Sequence, residues 1–242
     1  ISPIVAGLAA FVAVKLIYFI VRKLDEKYVE TGFRHGQTIT ACLVALSHGT
    51  NDAQKTMGII TLTLIAVGLQ PSGSGPQLWV IAVCGLAIAL GTYMGGWRVI
   101  RTLGKGLTEI ATPQGFAAEA SSATTILVSS HLGFALSTTQ VCSGSIIGSG
   151  LGKKGGAIDW KVAARMLIAW LVTFPAAGVI GAAACAVAKI NVWGTLAVAA
   201  IAVVAALIIF RLSRRNPVNA MNVNEGSEVK VNAKVATAAA AA

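Results

Sequence analysis

The sequence predicts an all-α integral membrane protein, with about five transmembrane helices by length and hydropathy, one of them broken, plus a helical hairpin. Three observations carry this. Hydrophobic residues make up 55% of the 242, and Asp, Glu, Lys and Arg only 12%, against roughly 25% charged residues in soluble domains. Mean hydropathy is +0.75. Apolar runs near the ~20 residues that a bilayer-spanning helix needs recur at 1–21, 37–69, 78–97, 160–188 and 192–211, with cationic residues between them. The formal charge of +10 therefore reads as topology information and not as a nucleic-acid footprint, which would cluster on a polar surface.

Taken in order, the first run opens on Ile1 with neither Met nor the basic start of a signal peptide, so an upstream segment is expected. Arg22, Lys23, Lys27 and Arg34 separate it from the second run. Arg98, Arg101 and Lys105 follow the third, Lys153, Lys154 and Lys161 follow the hairpin, and Arg211, Arg214 and Arg215 end the last. The opposite connections, Gln70–Leu78 and Lys189–Val192, hold one Lys between them. The enrichment of Lys and Arg in cytoplasmic loops then selects one orientation, with the first residue outside and the C-terminal tail in the cytoplasm of a multi-pass plasma-membrane protein. Residues 1–212 form the expected transmembrane domain. Residues 213–242 run through Asn, Val, Glu and Lys to poly-Ala, and with little to bury they are expected to be a disordered tail. Cys42, Cys84, Cys142 and Cys185 lie singly in apolar segments and read as reduced packing residues.

The second run is interrupted at Ser47-His48-Gly49-Thr50-Asn51-Asp52-Ala53-Gln54-Lys55-Thr56. Ionisable groups inside a membrane are costly and mark function. The spacing predicts a discontinuous helix, apolar to Leu46 and again from Met57, with Gly49 letting the backbone unwind. Freed carbonyls with Asn51 and Asp52 would hold a cation, the N-terminus of the second half-helix an anion, and Lys55 would balance charge. A water-exposed loop between two short helices is the other reading. The flanking runs are too short to span separately, which disfavours it.

Residues 116–151 are apolar but rich in hydroxyls, and hydropathy fits either a helical hairpin folded back on itself or two full spans. Most of those hydroxyls, and the Gly144–Gly148 spacing, suit close helix packing. Ser137-Thr138-Thr139-Gln140 differs: four consecutive hydrogen-bonding side chains follow Gly133-Phe134-Ala135-Leu136 at the expected tip, and a half-helix opening there would offer a second anion cradle. Glu119 is either an interfacial residue favoured by a helix N-terminus or a coupling-ion ligand or proton carrier facing Asp52. His48 is either a titrating group or a neighbour of the break. Enzyme motifs fail: the run Gly148–Lys154 is not a phosphate loop, because Ile147 stands where the motif's first Gly belongs and Lys154 where its Ser or Thr does, and nothing pairs a nucleophile with an oriented base.

Gly49-Thr50-Asn51-Asp52 and Ser137-Thr138-Thr139, with Phe116-Ala117-Ala118-Glu119, resemble the inorganic phosphate transporter (PiT) family, whose two inverted repeats each carry G-x-N-D in a broken helix and S-T-T in a re-entrant hairpin. The resemblance implies one half of an inverted-repeat transporter, with a broken helix over 37–69 and a re-entrant hairpin over 116–151. Asn-Asp occurs once, so the chain reads as one repeat, the C-terminal one by the family pattern, and alone it is not expected to transport. The implied function is symport of inorganic phosphate with H⁺ or Na⁺, without a cofactor, a divalent metal accompanying the phosphate in some members. Phosphate is expected at Thr50, Asn51, Lys55, Ser137, Thr138, Thr139 and Gln140, and the coupling ion at Asn51, Asp52, Glu119 and His48. Gln54-Lys55 and Gln140 depart from many members and resemble the bacterial low-affinity, proton-coupled branch. Implied partners are the N-terminal repeat, the lipid bilayer and, because members dimerise, a second copy. A sulfate or other oxyanion permease and an anion channel are the competing readings.

Overall fold

The computed structural model describes residues 1–214, 218 and 221–223. Two compact units divide the chain, one of residues 1–158 and one beginning at Asp159. In the first, α1 (Ser2–Val21), α2 (Glu26–Ala66), α3 (Leu78–Met94) and α4 (Trp97–Arg101, continued by a π-helical turn Thr102–Gly106) precede the hairpin of α5 (Thr112–His131) and α6 (Thr138–Gly152).

Backbone-close packing holds α1 to α6. Ala6, Ala10 and Val14 are fully buried at every fourth position of α1. Gly144, Gly148 and Gly152 have the same spacing on α6, so the two helices meet where neither carries bulk. A Cβ on Gly144 would run into the Pro3 carbonyl and one on Gly148 into that of Gly7. Ser145 Oγ donates to the Ala6 carbonyl at 3.4 Å, and Ala6 packs with Ile126 of α5 and Val141 of α6. At the base of the hairpin Thr108 pairs with Ile158 in an antiparallel bridge, and its hydroxyl donates to Ala157 O at 2.7 Å. Buried Gln114 accepts from the Ala111 N–H at 3.0 Å and donates to Ser149 O at 3.4 Å, tying the start of α5 to α6.

The outer face of the hairpin carries α2. Phe33 meets Phe116 edge-on, ring centroids 5.3 Å apart, Gly36 lies against the Phe116 ring, and Gln37 occupies the space where Gly115 has no side chain. Further along α2, Ala53, Met57, Ile60 and Leu64 pack on Val80, Cys84 and Ile88 of α3. Gly95 is extended and Gly96 has φ +101°, a left-handed conformation that a glycine adopts freely. Together they bend α3 by 61° against the following helical segment.

The second unit pairs α7 (Trp160–Ala188) with α8 (Val192–Ser213). Asp159 caps α7 by accepting from the N–H groups of Lys161 and Val162 at 2.9 and 3.1 Å, and Asn191 caps α8 through Gly194 N–H at 2.9 Å. Among the described residues, neither helix has a buried side chain. Leu171, Phe174, Ile201 and Ile209 are among many large apolar side chains left exposed, and both helices are long and apolar enough to cross a membrane.

The protein is thus an all-helical membrane protein among its described residues, and it corrects two expectations. First, α2 is unbroken from Glu26 to Ala66. Gly49 has no positive φ, and the polar side chains have partners without unwinding. Ser47 Oγ donates to Val44 O at 2.9 Å and Thr50 Oγ1 to Leu46 O at 2.9 Å, while Asn51 and Lys55 reach the hairpin. Gly49→Ala is accordingly expected to raise thermal stability by roughly 0.5–1 kcal/mol, since no atom crowds a Cβ there and an interior helix glycine costs about that much. A fall in melting temperature would show that the helix needs to open at this point.

Second, against about five expected, three helices among the described residues, α1, α7 and α8, are each long and apolar enough to cross a membrane, or up to four where α3 with the bent segment Trp97–Gly106 counts as one span. The difference is α2, whose ionisable residues interrupt its apolar character. Of the cysteines, Cys84 is buried and Cys142 half-buried, but Cys42 and Cys185 are exposed. The expected tail, 213–242, lies almost wholly outside the described residues, and α8 itself extends to Ser213.

Candidate functional site

Between α5 and α6 the chain turns through Gly133, which has φ +81°, and the Leu136 carbonyl precedes Ser137, the N-cap of α6. This carbonyl accepts two donors from α2: Asn51 Nδ2 at 2.8 Å and Lys55 Nζ at 2.5 Å. Residues 51 and 55 share one helix face. The same face carries Asp52, whose Oδ1 accepts from Lys55 Nζ at 2.9 Å and from Asn51 Nδ2 at 3.1 Å. Its Oδ2 accepts from Thr138 Oγ1 at 3.3 Å. His48 Nδ1 lies 3.0 Å from Thr138 Oγ1 and 3.5 Å from Asp52 Oδ2. Ser130 of α5 completes the cluster by donating to Asn51 Oδ1 at 3.2 Å.

Three helices therefore converge on one polar cluster, and burial divides its members by role. Asn51 is 2% exposed with both ends of its amide occupied, which makes it the fixed centre. The side chains of Asp52 and Lys55 are 32% and 37% exposed, so this charged pair is partly open. Thr138 opens α6, which sets the positive end of that helix dipole beside the Asp52 carboxylate. A carboxylate thus occupies the kind of cradle that suits an anion. Lys55 bridges that carboxylate and a backbone carbonyl, so moving its ammonium group aside leaves two oxygens converging on one point.

The structure brings together Asn51, Asp52, Lys55, His48 and Thr138. Thr50 is exposed, its hydroxyl held by Leu46 O and Ser47 O. Ser137 and Thr139 are exposed and Gln140 is half-buried on the first turn of α6, the Gln140 N–H donating to Ser137 Oγ at 3.5 Å. Glu119 does not face Asp52. It lies beside α2 twelve residues earlier, roughly 18 Å along the helix at 1.5 Å per residue, where Thr40 Oγ1 donates to its Oε2 at 2.6 Å. Sequence reasoning missed Thr40, the Leu136 carbonyl and the part played by Ser130. Ser130 belongs to the hydroxyl-rich stretch that drew attention, whereas a carbonyl leaves no trace in residue identity.

Residues 1–181 match the phosphate transporter family. The chain is 51% identical over 231 residues to a probable low-affinity inorganic phosphate transporter of Mycobacterium leprae, covering 94% of this chain and 56% of that protein. It is 37% identical over 183 residues to a protein of the same description from Bacillus subtilis, covering 76% and 55%. The chain thus spans about half the length of these relatives. A solved structure described as "The sodium-dependent phosphate transporter" superposes with a TM-score of 0.55 at 27% identity, covering 72% of this chain and 52% of that one. These relatives are transporters, not enzymes. Fold, paired motifs and kinship agree: the chain belongs to the phosphate transporter family.

Proposed function

We propose that the chain is the C-terminal repeat of an inorganic phosphate symporter, and that the cluster between α2 and the α5–α6 turn is its half of the substrate site. The observation that carries this reading is the convergence of Asn51, Asp52 and Lys55 with Leu136 O and Thr138 on one partly open point. Phosphate binds against the first turn of α6, to the hydroxyls of Ser137, Thr138 and Thr139, the N–H groups there and the Gln140 side-chain amide, and Lys55 swings from Asp52 to meet it. Thr50 and Asn51 bound the same site. A cation takes the place that Lys55 leaves, between Asp52 and Leu136 O, or a proton moves onto Asp52 or His48. Glu119 with Thr40 forms a separate carboxylate station on the same helix. The N-terminal repeat supplies the other half of the site, the hairpin is re-entrant, and the C-terminal end lies in the cytoplasm by the distribution of Lys and Arg.

The test is radiolabelled phosphate uptake in a phosphate-transport-deficient bacterium expressing the complete gene. Accumulation against the gradient that collapses with a protonophore and ignores Na⁺ is the expected result. Dependence on Na⁺ would transfer the cation site to sodium, the ion for which the solved relative is named. Flux that only equilibrates would make the protein a channel. Uptake of sulfate in preference to phosphate would overturn the substrate.

A further inference from the structure

A second charged site lies away from this cluster, where the end of α1 meets the end of α6. There Lys15, Tyr18, Phe19 and Arg22 face Gly152, Lys153 and Lys154 across a cavity of about 740 Å³, within the roughly 300–1,000 Å³ of small-molecule sites. Four cations line it, with no carboxylate among the lining residues. Aromatic rings hold two of them instead. Lys15 Nζ sits 4.5 Å from the Phe11 centroid and Arg22 Cζ 4.5 Å from that of Phe19, contacts that leave the N–H groups free to meet an anion. Gly152 lets the two helix ends approach closely: a Cβ there would lie 3.0 Å from Phe11 O and from Val14 Cβ of α1.

We propose that this cavity binds the phosphate headgroup of an anionic glycerophospholipid. The ligand chemistry is a phosphodiester, which the four cations and the Tyr18 hydroxyl suit. The choice of a lipid over a free anion rests on what adjoins the cavity. Leu8, Val12, Leu16 and Phe19 form an exposed apolar stripe at helical spacing along α1, opposite the face buried on α6. Phe19 belongs both to the stripe and to the cavity wall, so acyl chains along α1 lead directly to a headgroup among the cations. Lys15 lies within α1, about 9 Å from its end at 1.5 Å per residue, and its long stem lets the ammonium reach the interface. Basic pockets between transmembrane helices are the usual form of anionic headgroup sites.

Native mass spectrometry tests this on the protein expressed from its complete gene, in detergent, titrated with phosphatidylglycerol and phosphatidylcholine of identical chains. Phosphatidylglycerol is expected to bind about tenfold more tightly, as clustered cations near a headgroup would produce. Lys15→Gln, Arg22→Gln, Lys153→Gln and Lys154→Gln combined abolish the preference. Removal of three charges elsewhere, by Lys23→Gln, Lys27→Gln and Arg34→Gln, leaves it, and the charge-preserving set Lys15→Arg, Arg22→Lys, Lys153→Arg and Lys154→Arg retains it. Equal affinity for the two lipids overturns the proposal. So does a preference that survives the cavity variant, or one that the distant or charge-preserving set also removes. Displacement of the lipid by millimolar inorganic phosphate would give the cavity to the free anion instead. Uptake plays no part in the readout, so failure here leaves the symport reading untouched.

Discussion

Asp52→Asn is expected to cut phosphate uptake roughly ten- to a hundredfold, with the protein still reaching the membrane. The carboxylate accepts three hydrogen bonds, one from the Lys55 ammonium. Each charge-assisted bond contributes roughly 1.5–3 kcal/mol, and about 1.4 kcal/mol corresponds to a factor of ten. The amide keeps the shape but removes the charge that holds Lys55, and it presents two donors where Asn51, Lys55 and Thr138 already donate. A cation would lose its one anionic ligand in the cluster, while a proton would have no acceptor but His48. Both coupling schemes therefore predict the loss, and initial uptake rates normalised to membrane-inserted protein measure it. Rates within about twofold of wild type, a change of under 0.5 kcal/mol, would remove Asp52 from the transport path and with it the site proposed here.

Gly148→Leu is expected to be still more damaging, through stability. The first added carbon would collide with the Gly7 carbonyl, a backbone atom that cannot rotate aside, so α1 and α6 must separate along their length. Overpacking of this kind costs about 1–3 kcal/mol where side chains yield, and a backbone collision belongs at or above the top of that range. Loss of the monodisperse peak on size-exclusion chromatography, or a fall of many degrees in the melting temperature, is the expected reading. Gly178→Leu on α7 meets nothing within 4 Å and should leave both unchanged. An unaltered melting temperature for Gly148→Leu would mean that the α1–α6 contact is not what holds the hairpin.

Much of this was legible from residue types. The apolar runs marked α1, α7 and α8, the stretch 116–151 marked the hairpin to within four residues at either end, and Asn51-Asp52 and Thr138 stood out as polar groups in apolar surroundings. Those groups do meet, across 86 positions of sequence in the case of Thr138 and Asp52. What could not be read was how α2 accommodates them. Ten consecutive residues with few apolar side chains look like a break because, along the chain alone, their hydrogen bonds have nowhere to go. The partners are Leu136 O and the hydroxyls of Ser130 and Thr138, far away in sequence, and once these are supplied the helix has no cause to unwind. The pairing of Glu119 with Thr40 escaped for the same reason. The bend at Gly95 and Gly96 was open to reading, since paired glycines after an apolar run are a breaker signal.

An unbroken α2 is also a lever. From Glu26 to Asn51 the unbroken helix measures roughly 38 Å at 1.5 Å per residue, with the polar cluster at one end of that arm and the contacts of Phe33 and Gly36 with Phe116 partway along it. A tilt of about 5° pivoting at Asn51 carries Glu26 through ~3 Å on that geometry. A half-helix hinged at Gly49 would absorb the same rotation locally and transmit nothing. A change of partner at Lys55 that tilted the helix would therefore register at its far end, and spectroscopic labels near Glu26 are the place to look for it.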